Sequence, residues 1–172
     1  QDMIANMIKY AQTDFTEKSF DLKTVFPFLP ESHLFKTGDL VILAGDTKLG
    51  KTALYQHIIT NTPNVKTLFL SLEVDEITMT RRFMQQMLQK NKYKTLKLMA
   101  DEDEKAITIL EDKLSHMTLL CESPDITRYK ELIDEHKPRM VVIDTIDMVP
   151  AKWAKNDEYE KMNYVIPELK KF

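Results

Sequence analysis

The chain has 172 residues, 43% of them hydrophobic, and its 24 basic residues against 27 acidic ones leave a net charge of −3. One domain with a real core fits this length, and the balanced charge excludes a general polyanion binder, so any nucleic-acid contact must come from a local basic patch. Cys121 is the lone cysteine, which excludes an internal disulfide or a cysteine metal site and fits a reducing compartment.

No apolar run approaches the roughly 20 residues of a membrane span, and the amino terminus lacks a charged-then-apolar leader. A cytoplasmic protein is expected, or one in a host's cytoplasm if a virus or mobile element carries the sequence. At the amino end, Met3, Ile4, Met7 and Ile8 recur at helical spacing. They predict a short helix over residues 1–10, either a packing arm or a linker that docks on a neighbouring subunit. Phe20 to Pro30, with Pro27 and Pro30, predicts an extended lead-in. Residues 1–35 are therefore expected to form an arm or linker, and residues 36–172 the core.

Gly38-Asp39 predicts a turn, and Leu40-Val41-Ile42-Leu43-Ala44 is an unbroken apolar run of the buried parallel-strand type. Next comes Gly45-Asp46-Thr47-Lys48-Leu49-Gly50-Lys51-Thr52, which is G-x-x-x-x-G-K-T. The three glycines of the chain, Gly38, Gly45 and Gly50, all fall in this window. Backbone amides of such a loop converge on phosphate oxygens, and the helix that follows presents its positive end to the same anion. Lys51 would reach the β- and γ-phosphates, and the Thr52 hydroxyl would complete a Mg²⁺ shell, so ATP with Mg²⁺ is the expected ligand. The pattern requires a strand before it and a helix after it. Leu40–Ala44 is the predicted strand; Ala53, Leu54, His57, Ile58 and Ile59 predict the helix, stopped at Asn61-Thr62-Pro63.

Further on, Val65–Ser71 predicts a strand and Asp75–Lys90 a helix with Asp75 as its cap. Residues 91–114 are highly charged, with a helix predicted near Glu104–Leu114 from Ala106, Ile107, Leu110 and Leu114. His116–Leu120 is a short strand, Thr127–His136 a helix ended by Lys137-Pro138, and Arg139–Asp144 a buried strand. A helix over about Asp157–Lys171 is expected to be kinked or interrupted by Pro167. Strands alternating with helices predict an α/β fold, a mostly parallel sheet with helices on both faces. Ligands in such sheets sit at the carboxyl ends of the strands, and the G-x-x-x-x-G-K-T loop, Glu73 and Asp144 all fall at predicted carboxyl ends. The chain begins at Gln1 and stops at Phe172 inside an amphipathic pattern, so a core truncated at its carboxyl end is expected.

Asp144 closes Met-Val-Val-Ile-Asp, the form of a Walker B carboxylate that holds Mg²⁺ through water; the plain alternative is a strand-end aspartate capping the next turn. Glu73 could orient or deprotonate an attacking water, or could be a solvated loop glutamate. Thr145 follows Asp144 where a glutamate would supply a base on that strand, which leaves Glu73 as the candidate base. Asp75, Thr145 and Asp147 are expected to cap local turns.

The run Thr37–Ala44 into the phosphate loop, Phe69-Leu70-Ser71-Leu72-Glu73, Arg81-Arg82, Tyr129-Lys130-Glu131-Leu132 and Val142-Ile143-Asp144 occur in an order that resembles a RecA-type P-loop ATPase core. Within that group the chain most resembles the replicative DnaB-like hexameric helicases, over roughly residues 36–172. The resemblance implies phosphate binding by Lys51 and Thr52, catalysis by Glu73 with Lys51, and metal coordination by Thr52 and through Asp144. It also implies a homo-oligomeric ring or filament with nucleotide between subunits, and a further strand with a γ-phosphate sensor beyond Phe172. Related helicases and recombinases carry DNA-binding loops after the Asp144 strand. Here Lys152, Trp153 and Lys155 could track phosphates and stack on a base, or form a surface loop with a half-buried tryptophan. Three functions remain open: an ATP-driven motor on single-stranded DNA in replication or recombination, a regulatory ATPase, and a nucleotide-dependent interaction protein.

Overall fold

The computed structural model describes residues 3–5, 19–30, 34–46, 48–150 and 158–171. They divide into two units, Gln1–Asp39 and Leu40–Phe172. In the first, strand β1 (Ser19–Asp21) pairs antiparallel with β2 (Leu34–Lys36), with Phe20 opposite Phe35. Their rings lie 6.0 Å apart between centroids. A 3-10 turn over Leu22–Thr24 follows β1, with the Asp21 carboxylate accepting from the Lys23 amide at 2.9 Å. The expected extended lead-in is thus a strand and a turn. A proline restricts only itself and the residue before it, so Pro27 and Pro30 leave residues 22–24 free to coil around the Asp21 cap. Residues 3–5 are helical; the rest of the helix expected at residues 1–10 lies outside the described residues.

The second unit is built on a parallel sheet of three strands in the order β4-β3-β5, where β3 is Thr67–Ser71, β4 Met117–Leu120 and β5 Met140–Asp144. Thr67 aligns with Met117 on one side and Met140 on the other, and Ser71 aligns with Asp144. Alternation along β3 sorts its side chains to two faces. Leu68 and Leu70 pack with Ile126, Tyr129 and Leu132 of helix α5 (Ile126–His136) and Val165 of α6 (Glu158–Leu169). Phe69 points the other way, against Ile59 of α1 (Lys51–Thr60) and Met79 and Phe83 of α2 (Glu76–Leu88). Helices therefore cover both faces, and α/β with a parallel sheet is the fold.

The helix starts are set by short polar caps. Asp75 accepts from the Thr78 amide at 2.9 Å, Asp103 from Ala106 at 2.9 Å to start α4 (Glu104–Leu114), and Asp125 from Thr127 at 3.1 Å to start α5. Asn91 does the same for α3 (Lys92–Ala100), a helix the sequence reading did not anticipate. Only Thr95 of α3 is buried, so its apolar residues form no buried stripe. Pro167 sits inside α6, which runs on to Leu169 without interruption. In the last turn its missing N–H removes a single bond, and the ladder resumes with Lys170 N–H donating to Ile166 C=O at 3.1 Å.

The strand expected before the glycine-rich loop is not formed. Leu40–Ala44 forms no strand, and Leu40, Val41, Ile42 and Leu43 are 38%, 56%, 55% and 46% exposed. An apolar run states a preference for burial but does not supply a hydrogen-bonding neighbour. Both edges of β3 are occupied by β4 and β5, and the run pairs with neither outer edge. Among the described residues no helix is long and apolar enough to cross a membrane.

Candidate nucleotide site

Asp144 is the last residue of β5, level with Ser71 at the end of β3. One residue further, the Leu72 amide donates to the Asp144 carbonyl at 2.7 Å. The Ser71 hydroxyl donates to the Val74 carbonyl at 2.5 Å, closing the turn that carries Glu73. Glu73 is exposed at this edge. Asp75 has the expected capping role on α2. Thr145 does not: its hydroxyl makes no cap bond, and Oγ1 is buried with no partner among the described residues. Asp147 is exposed within a 3-10 turn over Ile146–Met148 rather than capping it. The Asp144–Thr145 peptide is cis.

The loop residues Gly45, Asp46, Lys48, Leu49 and Gly50 lead into α1. Gly50 stands at φ +89°, in the left-handed region, as the residue that opens the helix. Having no side chain, it makes no cap bond. The first-turn amides of α1 have no acceptor within the helix, and no side chain of the N-cap residue closes this end, where Asp75, Asn91, Asp103 and Asp125 close theirs. Lys51 curls back over the loop, its Nζ donating to the carbonyls of Gly45 at 2.5 Å and Asp46 at 2.8 Å. Thr47, Lys152, Trp153 and Lys155 lie outside the described residues.

What ties α1 to β5 is Tyr55. Its ring packs on Phe69 at 5.2 Å between centroids, and its hydroxyl donates to Asp144 Oδ2. Thr52 stands one helical turn before Tyr55 on α1. Burial first, and then the bond to Asp144, push the phenol well above its ordinary range, so it stays a donor. Lys51, Thr52 and Tyr55 share one side of α1 by their i, i+3 and i, i+4 spacing. That spacing was the signal in the sequence, but the expected helix face was Ala53, Leu54, His57, Ile58 and Ile59. The residues buried are Gln56, Ile59 and Thr60. Adjacent isoleucines at 58 and 59 fit two helical phases, and the Tyr55 and Gln56 contacts select one; Gln56 Nε2 donates to Met79 Sδ at 3.3 Å.

The structure thus ties α1, the helix that carries Lys51 and Thr52, to Asp144 through Tyr55, with Glu73 on the same sheet edge. Among the described residues no cluster of three or more His, Cys, Asp or Glu could hold a metal ion unaided. A single strand-end carboxylate with a neighbouring hydroxyl suits Mg²⁺, which takes one or two protein oxygens and completes its shell with phosphate and water. The sequence model of the DnaB-like helicase C-terminal domain matches residues 24–172. The chain belongs to that family. No curated protein matches it. Membership in the DnaB-like family makes the α/β fold a RecA-like one, and at the level of the family the domain is that of a helicase-type ATPase.

Proposed function

We propose that the chain binds ATP with Mg²⁺ and hydrolyses it as a motor on single-stranded DNA, in replication or recombination. The carrying observation is the glycine-headed start of α1, a helix tied through Tyr55 to Asp144 at the carboxyl edge of the sheet. In this reading residues 36–172 are the ATPase core and residues 1–35 an arm or linker, working in a cytoplasm.

Gly45, Asp46, Thr47, Lys48, Leu49 and Gly50 would wrap the phosphates, with the first-turn amides of α1 facing the anion. Gly45 would have ordinary room for a Cβ, with Leu49 Cδ1 at 3.7 Å, so packing within the chain does not require glycine there. A closely approaching phosphate would. Lys51 holds two neutral carbonyls; exchanging them for phosphate oxygens would pair its ammonium with an opposite charge. Thr52 would bind the Mg²⁺ directly and Asp144 through water. A Mg²⁺ held by these residues would supply positive charge against the charge that develops on the phosphates. Glu73, exposed at the same edge, would take the proton of the attacking water.

Coupling turnover to strand movement calls for a homo-oligomer, a hexameric ring or a filament. Lys152, Trp153 and Lys155 are the proposed DNA contacts. Phosphate release measured with and without single-stranded DNA tests the whole reading. Turnover that DNA stimulates, and that Lys51→Ala and Glu73→Gln abolish, supports the motor. Turnover indifferent to DNA would indicate a regulatory ATPase, and tight ATP binding without release an interaction protein.

A further inference from the structure

Tyr55 belongs to neither the G-x-x-x-x-G-K-T pattern nor the two carboxylates, yet its hydroxyl donates to Asp144 Oδ2 from a position one helical turn after Thr52. The ring is fixed by its packing on Phe69, which is fully buried at the centre of β3. A carboxylate at a strand end rotates freely unless something holds one oxygen. Here Oδ2 is committed to the phenol, which leaves Oδ1 to face a metal's water shell. Partners of this kind orient groups that bind a metal, and removing them costs roughly 10- to 100-fold in metal affinity or activity.

We propose that Tyr55 is a positioning residue for the magnesium side of the site: by holding one oxygen of Asp144 through its hydroxyl, it sets that carboxylate in the geometry that receives Mg²⁺ with ATP. The inference rests on the reading of Thr52 and Asp144 given above. Tyr55→Phe removes the hydroxyl and keeps the ring, so the Phe69 contact survives. The measurement is calorimetric ATP binding by the full chain across a Mg²⁺ titration, with EDTA as the metal-free reference.

The expected result is a Mg²⁺ requirement raised about tenfold in Tyr55→Phe, with ATP affinity in EDTA unchanged and the melting temperature close to that of the parent. In an Asp144→Ala background Tyr55→Phe adds no further loss. A parent protein that binds ATP in a Mg²⁺-dependent manner, with a Tyr55→Phe profile identical to it, overturns the positioning role alone. So does a loss that persists in full without the Asp144 carboxylate. A parent protein that binds no ATP, or binds it indifferently to Mg²⁺, overturns the nucleotide reading and this role with it.

Discussion

The Leu72 amide donates to the Asp144 carbonyl at 2.7 Å, just past the last aligned pair of β3 and β5, Ser71 and Asp144. Glu73 is the next residue. Its backbone is therefore referenced to Asp144 by the sheet ladder, while its side chain stays exposed. Glu73→Gln keeps shape and removes the basic carboxylate. The expected outcome is a fall in kcat of about 10²–10⁴-fold, the usual contribution of a positioned base, with ATP affinity unchanged. Stability should move by no more than about 0.5 kcal/mol, as for other exposed positions. Single-turnover phosphate release and equilibrium binding on one preparation check both halves.

Gly45 and Gly50 are both glycines of the loop, but they should answer differently to alanine. Gly50 stands at φ +89° with nothing within 4 Å of where a Cβ would sit, so Gly50→Ala meets backbone strain alone. A left-handed residue with a Cβ costs roughly 1–2 kcal/mol, and urea unfolding should show that loss. Gly45→Ala makes only ordinary contacts, to Leu49 Cδ1 at 3.7 Å and Lys51 Cδ at 3.9 Å. Its unfolding midpoint should be nearly unchanged while its ATP affinity falls. Equal destabilisation of the two variants would contradict the geometry.

Much of this architecture could be read from the sequence because its signals are local. Asp75, Thr127–His136 and Glu104–Leu114 announce themselves by caps and apolar spacing within one or two turns. So do Lys51, Thr52 and Asp144, as members of patterns that a single loop or strand displays. Helix α3 escaped because Tyr93, Leu96, Met99 and Ala100, though at helical spacing, lie among lysines in a charged run, and the residue the helix buries is Thr95. Leu40–Ala44 misled because composition reports a wish for burial, while strand pairing depends on residues far along the chain. Tyr55 escaped for the same reason: its partner Asp144 lies 89 positions away.

The cap on α2 gives a pH signature. Backbone and side-chain hydrogen bonds from Thr78 hold the Asp75 carboxyl below the ordinary aspartate range. A depressed folded pKa means that the unfolded chain takes up the proton first. The stabilising contribution is therefore complete above the ordinary value of about 3.9 and fades as the pH falls through the lower folded value. Melting temperatures of the parent and of Asp75→Ala should differ at pH 7 and converge as the pH falls below about 3.9. A gap that stays constant down to pH 2 would mean that the cap works without its charge.

Phe69 joins stability to the site. It is fully buried, with the Tyr55 ring at 5.2 Å and the Phe83 ring, edge-on, at 5.9 Å between centroids. Phe69→Ala removes the ring from the middle strand of the sheet and should cost about 3–5 kcal/mol by the usual range for buried aromatics. Phe69→Leu keeps most of the volume and should cost less, yet it withdraws the aromatic surface on which Tyr55 rests. If that ring is what aims the phenol at Asp144, Phe69→Leu should also raise the Mg²⁺ requirement for ATP binding, whereas Leu132→Ala, on the opposite face of the sheet, should lower stability alone. Urea midpoints paired with Mg²⁺ titrations on both variants separate the two effects. A Mg²⁺ requirement that rises equally in both would show that it follows general loosening of the core and not the Tyr55 contact.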